Sequence, residues 1–146
     1  MVILSKFAET LLSLMEEKGL NAPALAKALG TDRSNITRYL HGQRLPSFQV
    51  FINLIEFFNV SADVLLGVSD YAQSTEFLPL PPFGAQLRTI MQATHTTQYA
   101  LKKEAGFSSA SIHNWLTGQD LPSPDKLVRL ADHMAVSVDY LLGRVK

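Results

Sequence analysis

Apolar residues recur at helical spacing from the start of the chain. Phe7, Leu11, Leu14 and Met15 fall on one face, which predicts a helix from about Lys6 to Lys18, capped by Ser5 and stopped at Gly19. Leu25, Ala26 and Leu29 make the inner stripe of a second helix, Ala22 to Leu29, with Asn21 as its cap and Pro23 in its first turn. Gly30 suits the left-handed position after that helix. Asp32 is then placed to cap a third helix, Arg33 to Leu40, whose inward side is Ile36, Tyr39 and Leu40. Gly42 ends it, Leu45-Pro46 leads on, and Ser47 caps a fourth, unusually apolar helix from Phe48 to Phe58. Ser61 with Asp63 opens a short fifth helix ending at Gly67.

The pattern then repeats. Displacing the sequence by 76 residues lays Phe7–Gly67 on Phe83–Gly143 without a gap, and 21 of the 61 positions are identical. Most of the shared residues are apolar or turn-forming, while the polar faces differ, as expected of two copies of one fold with different surfaces. The second copy predicts helices starting near Phe83, Gln98, Ser109, Pro124 and Val138. The expected organisation is a first domain over 1–67, a linker over 68–81 and a second domain over 82–146. Pro79, Pro81 and Pro82 keep the linker region extended. Tyr71, Phe77, Leu78 and Leu80 are too apolar for a free tether and are expected to pack on one or both domains.

Composition narrows the picture. Domains of roughly 60 residues bury a modest share of their surface, and with no cysteine neither disulfides nor thiolate zinc sites can support them. The chain has a formal net charge of zero, so any attraction to nucleic acid must be local. It is: Ala22–Arg44 carries a net +3, whereas Gln98–Asp120 is neutral. No apolar run approaches the roughly 18 residues of a membrane span. The apolar start of the chain is broken by Lys6, Glu9, Glu16 and Glu17, an amphipathic helix rather than a leader. The expected location is the cytoplasm.

His41, His95 and His133 lack paired ligand spacing, so no metal is expected. There is no glycine-rich phosphate loop, and no nucleophile, base and pocket gather in the sequence. Neither a cofactor nor an enzymatic activity is expected.

The two stretches around which everything is arranged are Gly30–Pro46, GTDRSNITRYLHGQRLP, and Gly106–Pro122, GFSSASIHNWLTGQDLP. Each has a turn glycine, an isoleucine six residues on, an aromatic-Leu-x-Gly and a Leu-Pro. Each copy closes on V-S-x-D-x-L-L-G, Val136–Gly143 in the second. Two short helices joined in this way resemble a helix-turn-helix, and the whole five-helix unit resembles the lambda-repressor-like family of Cro/C1 or xenobiotic-response-element type. The resemblance covers both copies. It implies an all-α chain of two tandem five-helix DNA-binding domains and a sequence-specific transcription regulator, a repressor in its simplest form.

Carried over position by position, that resemblance makes Arg33, Ser34 and Arg38 base readers of the first copy, arginine being suited to guanine O6 and N7. It puts Asp32, Asn35, Thr37 and Arg44 at phosphates, Asp32 through its helix end. In the second copy the readers become Ser109, Ala110 and Asn114, with Ser111 and His113 beside them and Gln98 on a phosphate. The family places a small residue where the second and third helices cross. Ala26 supplies it in the first copy, but Lys102 stands there in the second and must turn outward or widen the crossing. The first copy is thus expected to be the principal reader.

The implied partner is double-stranded DNA. Half-sites about 34 Å apart lie within reach of a 14-residue linker that stretches to about 46 Å, but its apolar character favours a compact pair and a homodimer as the source of the second reader. Val50 and Phe57, which align with Lys126 and His133, are expected to be covered by the linker, the other copy or a second chain. The competing class is a protein-interaction or antitoxin-like adaptor that keeps the fold without reading DNA.

Overall fold

The computed structural model describes residues 2–70 and 76–146. Among them there is no strand, and ten helices follow in order: α1 (Val2–Glu17), α2 (Ala22–Leu29), α3 (Arg33–Leu40), α4 (Phe48–Phe58), α5 (Ala62–Leu65), α6 (Phe83–Ala93), α7 (Gln98–Lys103), α8 (Ser109–Thr117), α9 (Pro124–Met134) and α10 (Val138–Leu142). The chain divides into two units, Met1–Thr75 and Glu76–Lys146. The all-α architecture expected from the sequence, five helices to a copy, is the one observed.

Helix ends follow the local chemistry. Asn21, Ser47 and Ser61 sit in extended backbone and accept from the N–H three residues on, which satisfies a donor that the helix itself leaves open. Thr97, Ser108 and Ser137 do the same in the second unit. Two expectations at helix starts are corrected. α1 begins at Val2 rather than near Lys6, because Ile3 and Leu4 continue the apolar face and lie half-buried; Ser5 is an exposed residue inside the helix, not its cap. Asp32 has the backbone geometry of a cap, but its side chain makes no capping bond. Its carboxylate is exposed and gives up nothing by remaining hydrated.

In the first unit, α3 packs on α1 and α2, α2 also meets α4, and α5 returns to α1. Phe7, Leu11, Leu25, Ile36, Phe51, Leu54, Ile55 and Leu65 are fully buried. The return is tight at Gly67. Its φ is +74°, and a Cβ there would stand 2.2 Å from the Cβ of Lys6, so the left-handed turn and the close approach both require glycine. The outer face of α4 leaves Val50 half-buried. Phe57 is 39% exposed and edge-on to Phe58 at 5.0 Å.

In the second unit, α6 packs on α8 and α10, α7 on α8, and α9 on α10. Leu87, Ile90, Leu101, Ile112, Trp115, Leu127, Leu130 and Leu141 form the core. α6 approaches α8 through Gly84, where a Cβ would lie 2.6 Å from the Leu116 carbonyl oxygen. Residues 76–82 are free of helix, as their prolines require. Tyr71 lies outside the described residues. Phe77 is half-buried beneath the Arg144 guanidinium, 3.9 Å from its ring centre. Leu78 donates its N–H to the Arg144 carbonyl at 2.8 Å, but its side chain, expected to pack, is exposed. Arg144 is only 2% exposed and pairs with buried Asp139 at 2.8 Å.

Candidate nucleic-acid interface

The first unit fixes α3 from behind. Ile36 and Tyr39 are buried, and the Tyr39 ring meets Phe7 edge-on with centres 6.0 Å apart. The turn between α2 and α3 is set by Gly30 at φ +68° and closed by Thr31, whose N–H donates to the Ala26 carbonyl at 3.0 Å. Ala26 is buried at the crossing, where its single methyl lets the two helices approach. With these side chains holding the inner face, the helical period turns Arg33, Ser34, Thr37 and Arg38 outward, and all four are exposed. Arg33, Ser34, Thr37, Arg38 and Gln43 line one side of a shallow open concavity whose other side is Ala22 and Pro23 at the start of α2.

Polar contacts organise this face. Thr37 Oγ1 donates to the Arg33 carbonyl at 3.0 Å. Half-buried Asn35 donates through Nδ2 to Thr31 Oγ1 at 3.1 Å. Its Oδ1 accepts from Arg38 at 3.3 Å and from Arg44 at 3.4 Å. Arg44 is itself exposed. Among the described residues no carboxylate pairs with Arg33, Arg38 or Arg44, so the three positive charges are offered to whatever approaches. Burial pushes the Tyr39 phenol above its ordinary value of 10.0, against a smaller pull downward from Arg44.

The second unit builds the same frame with different contents. Ile112 and Trp115 anchor α8, and Phe107 meets Trp115 edge-on at 5.1 Å. Arg129 lies over the outer side of Phe107, 4.3 Å from its ring centre, and donates to the Ala105 carbonyl at 2.5 Å. The turn is wired differently. The Phe107 N–H donates to Leu101, one residue further back than the corresponding bond in the first unit, and α7 ends at Lys103. Lys102, at the position of buried Ala26, is exposed. The lysine thus turns out to solvent, and the hydrogen bond that closes the turn reaches one residue further back.

Ser109, Ala110 and His113 are exposed on α8, and Asn114 is half-buried. Ser111 is tied to the helix start: its N–H donates to Ser108 Oγ at 3.0 Å and its hydroxyl accepts from the same oxygen at 2.9 Å. Gln98 is exposed at the first position of α7 and lines a second shallow concavity with Arg88, Gln92, His95 and Thr97. Tyr99, beside it, is 68% exposed. The helical period gave no reason to single it out, although an aromatic where the first copy has Pro23 was a visible departure. Gln43 was also missed, and there the signal existed: it is one of the identical repeat positions, paired with Gln119.

Among the described residues, no group of three or more His, Asp or Glu stands close enough to hold a metal ion. No helix is long and apolar enough to cross a membrane.

A segment of 53 residues, 36% of the chain, is 36% identical to the cryptic phage CTXphi transcriptional repressor RstR of Vibrio cholerae serotype O1 (strain ATCC 39315 / El Tor Inaba N16961). The segment spans about half of that repressor, 47% of its length. No solved structure matches the chain. The family described as helix-turn-helix domain matches residues 6–66 and again residues 82–141. Two matches that together take in most of the sequence, each on a unit of five helices with a glycine turn before its third helix, make this chain a tandem member of the helix-turn-helix domain family.

Proposed function

We propose that the chain is a transcription regulator, a repressor of the Cro/C1 type, that binds duplex DNA sequence-specifically through its first unit. The observation that carries this reading is the outer face of α3. Arg33, Ser34 and Arg38 are exposed, with no carboxylate partner among the described residues, on a helix pinned from behind by Ile36 and Tyr39. A helix so held enters the major groove with its first turns toward the base edges, where arginine recognises guanine. Thr37 and Arg44 then flank it at backbone phosphates, and the start of α2 at Ala22 and Pro23 borders the same concavity. The similarity to a protein named as a transcriptional repressor supports the same direction. Repression follows by occupying an operator, without a cofactor, in the cytoplasm.

The second unit contributes less. On α8 the readers are Ser109 and Asn114, with Ser111 and His113 beside them and Gln98 at a phosphate. The charge of the first unit is missing, and Asp120 stands where Arg44 stands in the first copy. A second reader comes from homodimerisation, which gives a two-fold operator with half-sites one helical turn apart.

Selection of bound duplexes from a random pool at fixed salt tests the proposal. The expected product is a spaced inverted repeat, and Arg33→Ala with Arg38→Ala abolishes the preference. The neutral surface of the second unit favours one other reading, a protein-interaction or antitoxin-like adaptor that retains the fold. Under that reading, the selection returns no preferred sequence and the double variant changes nothing.

A further inference from the structure

The Asn35 side chain joins three other residues at the candidate interface, Thr31, Arg38 and Arg44. Its oxygen accepts from two guanidiniums, those of Arg38 and Arg44, and its amide nitrogen donates to Thr31. A carboxamide oxygen has two lone pairs and the nitrogen two N–H groups. Both acceptor sites are therefore filled and one donor of two is used, which fixes which way the amide faces. Arg38 lies on α3 and Arg44 beyond its end, so no element of secondary structure relates their side chains. Asn35 does.

We infer that Asn35 is a specificity-determining positioning residue. It does not itself hold a phosphate, as the resemblance to the family implies for its position, but ties the arginine that reads a base, Arg38, to the arginine that grips the backbone, Arg44. The inference rests on the DNA-binding reading given above. Its physical content is geometric. At 3.3 and 3.4 Å, on an exposed surface, these bonds add little to the stability of the free protein. Two like charges gathered on one neutral oxygen repel each other and are relieved by an incoming anion. When Arg44 takes a phosphate, the shared oxygen holds the Arg38 guanidinium at a fixed distance from that phosphate and so at one base step. Thr31, at the turn, anchors the carboxamide to the scaffold, and bonds of this kind strengthen once a duplex excludes water.

The distinction is measurable, because a phosphate contact positions without carrying sequence information whereas a base contact specifies. The experiment measures binding of the full chain to its selected duplex and to each single-base-pair variant, for Arg38→Ala, Asn35→Ala, the double variant and Asn35→Asp. Arg38→Ala is expected to lose on the order of tenfold discrimination at one base pair. Asn35→Ala is expected to relax preference at that same base pair and to add nothing further in the Arg38→Ala background. Asn35→Asp keeps an acceptor for both guanidiniums, so it retains the preference while weakening all duplexes through its charge. Thermal unfolding of each variant separates these effects from loss of the fold. If Asn35→Ala weakens every duplex alike with preference intact, or acts equally with and without Arg38, Asn35 is a plain backbone contact and the inference is overturned. If Arg38→Ala changes no single base pair, it is overturned as well. If the unaltered chain shows no sequence preference, the regulator reading itself fails, an outcome distinct from both.

Discussion

The two units share a frame and differ in where they use their cations. In the first, Arg33, Arg38 and Arg44 stand on the outer face of the motif, none paired with a carboxylate among the described residues. In the second, the structurally engaged cations are Arg129, laid over Phe107 at the turn, and Arg144, buried against Asp139 and Phe77. The corresponding residues of the first unit are Asn53 and Val68. Charge left open at the surface serves a polyanion; charge laid on a ring or paired in the core serves packing. Two copies of one fold can thus agree in their apolar positions and still have different tasks.

The largest test of that contrast is at Arg144. Replacing it by alanine leaves Asp139 buried without its ion-pair partner, and the second unit should lose about 3–5 kcal/mol. Val68→Ala, at the matching exposed position, should change the first unit by less than about 0.5 kcal/mol. Denaturant unfolding followed by fluorescence isolates the effect, because the chain's single tryptophan, Trp115, lies in the second unit. Next in size is the loss of DNA preference. Arg33→Ala with Arg38→Ala should cost on the order of a hundredfold in discrimination, and Ser109→Ala with Asn114→Ala a few-fold at most by the same scale. Equal losses from the two pairs would show that both units read.

Arg129→Ala removes a cation over a ring and a bond to the Ala105 carbonyl. About 1–2 kcal/mol of the second unit's stability should go with it, whereas Asn53→Ala should be near neutral. The smallest effect is alkaline. Burial holds the Tyr39 phenol neutral above its ordinary value, so the stabilisation is complete below about pH 10. The unfolded chain ionises first, and stability declines as pH rises through the raised folded value. Trp115, its counterpart, does not titrate. A pH series of unfolding should therefore show an alkaline loss in the first unit that Tyr39→Phe removes.

Much of this was legible in the sequence, for identifiable reasons. The repeat, the helical spacing of Phe7, Leu11, Leu25 and Ile36, and the caps at Asn21, Ser47 and Ser61 are local signals, and local signals survive folding. The start of α1 was not legible, because Ser5 has the form of a cap and only the partial burial of Ile3 and Leu4 overrides it. The Asp32 carboxylate failed to cap for a similar reason: position alone does not decide between a backbone N–H and water. The outward face of α3 followed from period. The clasp of Asn35 on Arg38 and Arg44 did not, since Arg44 comes from beyond the helix and its direction depends on the whole chain. Arg129 over Phe107 joins residues 22 apart in sequence, and no periodicity announces it.

The differently bonded turn of the second unit bears on how such a duplication can be altered. Moving arginines onto α8 at the positions of Arg33 and Arg38 would not by itself make the second copy equivalent to the first. The helix they would ride on is set by a hydrogen bond from Phe107 to Leu101, with Arg129 braced across the ring and Lys102 occupying the place of Ala26. Anyone wishing to build a two-headed reader from this chain would have to rebuild the hinge before repainting the surface.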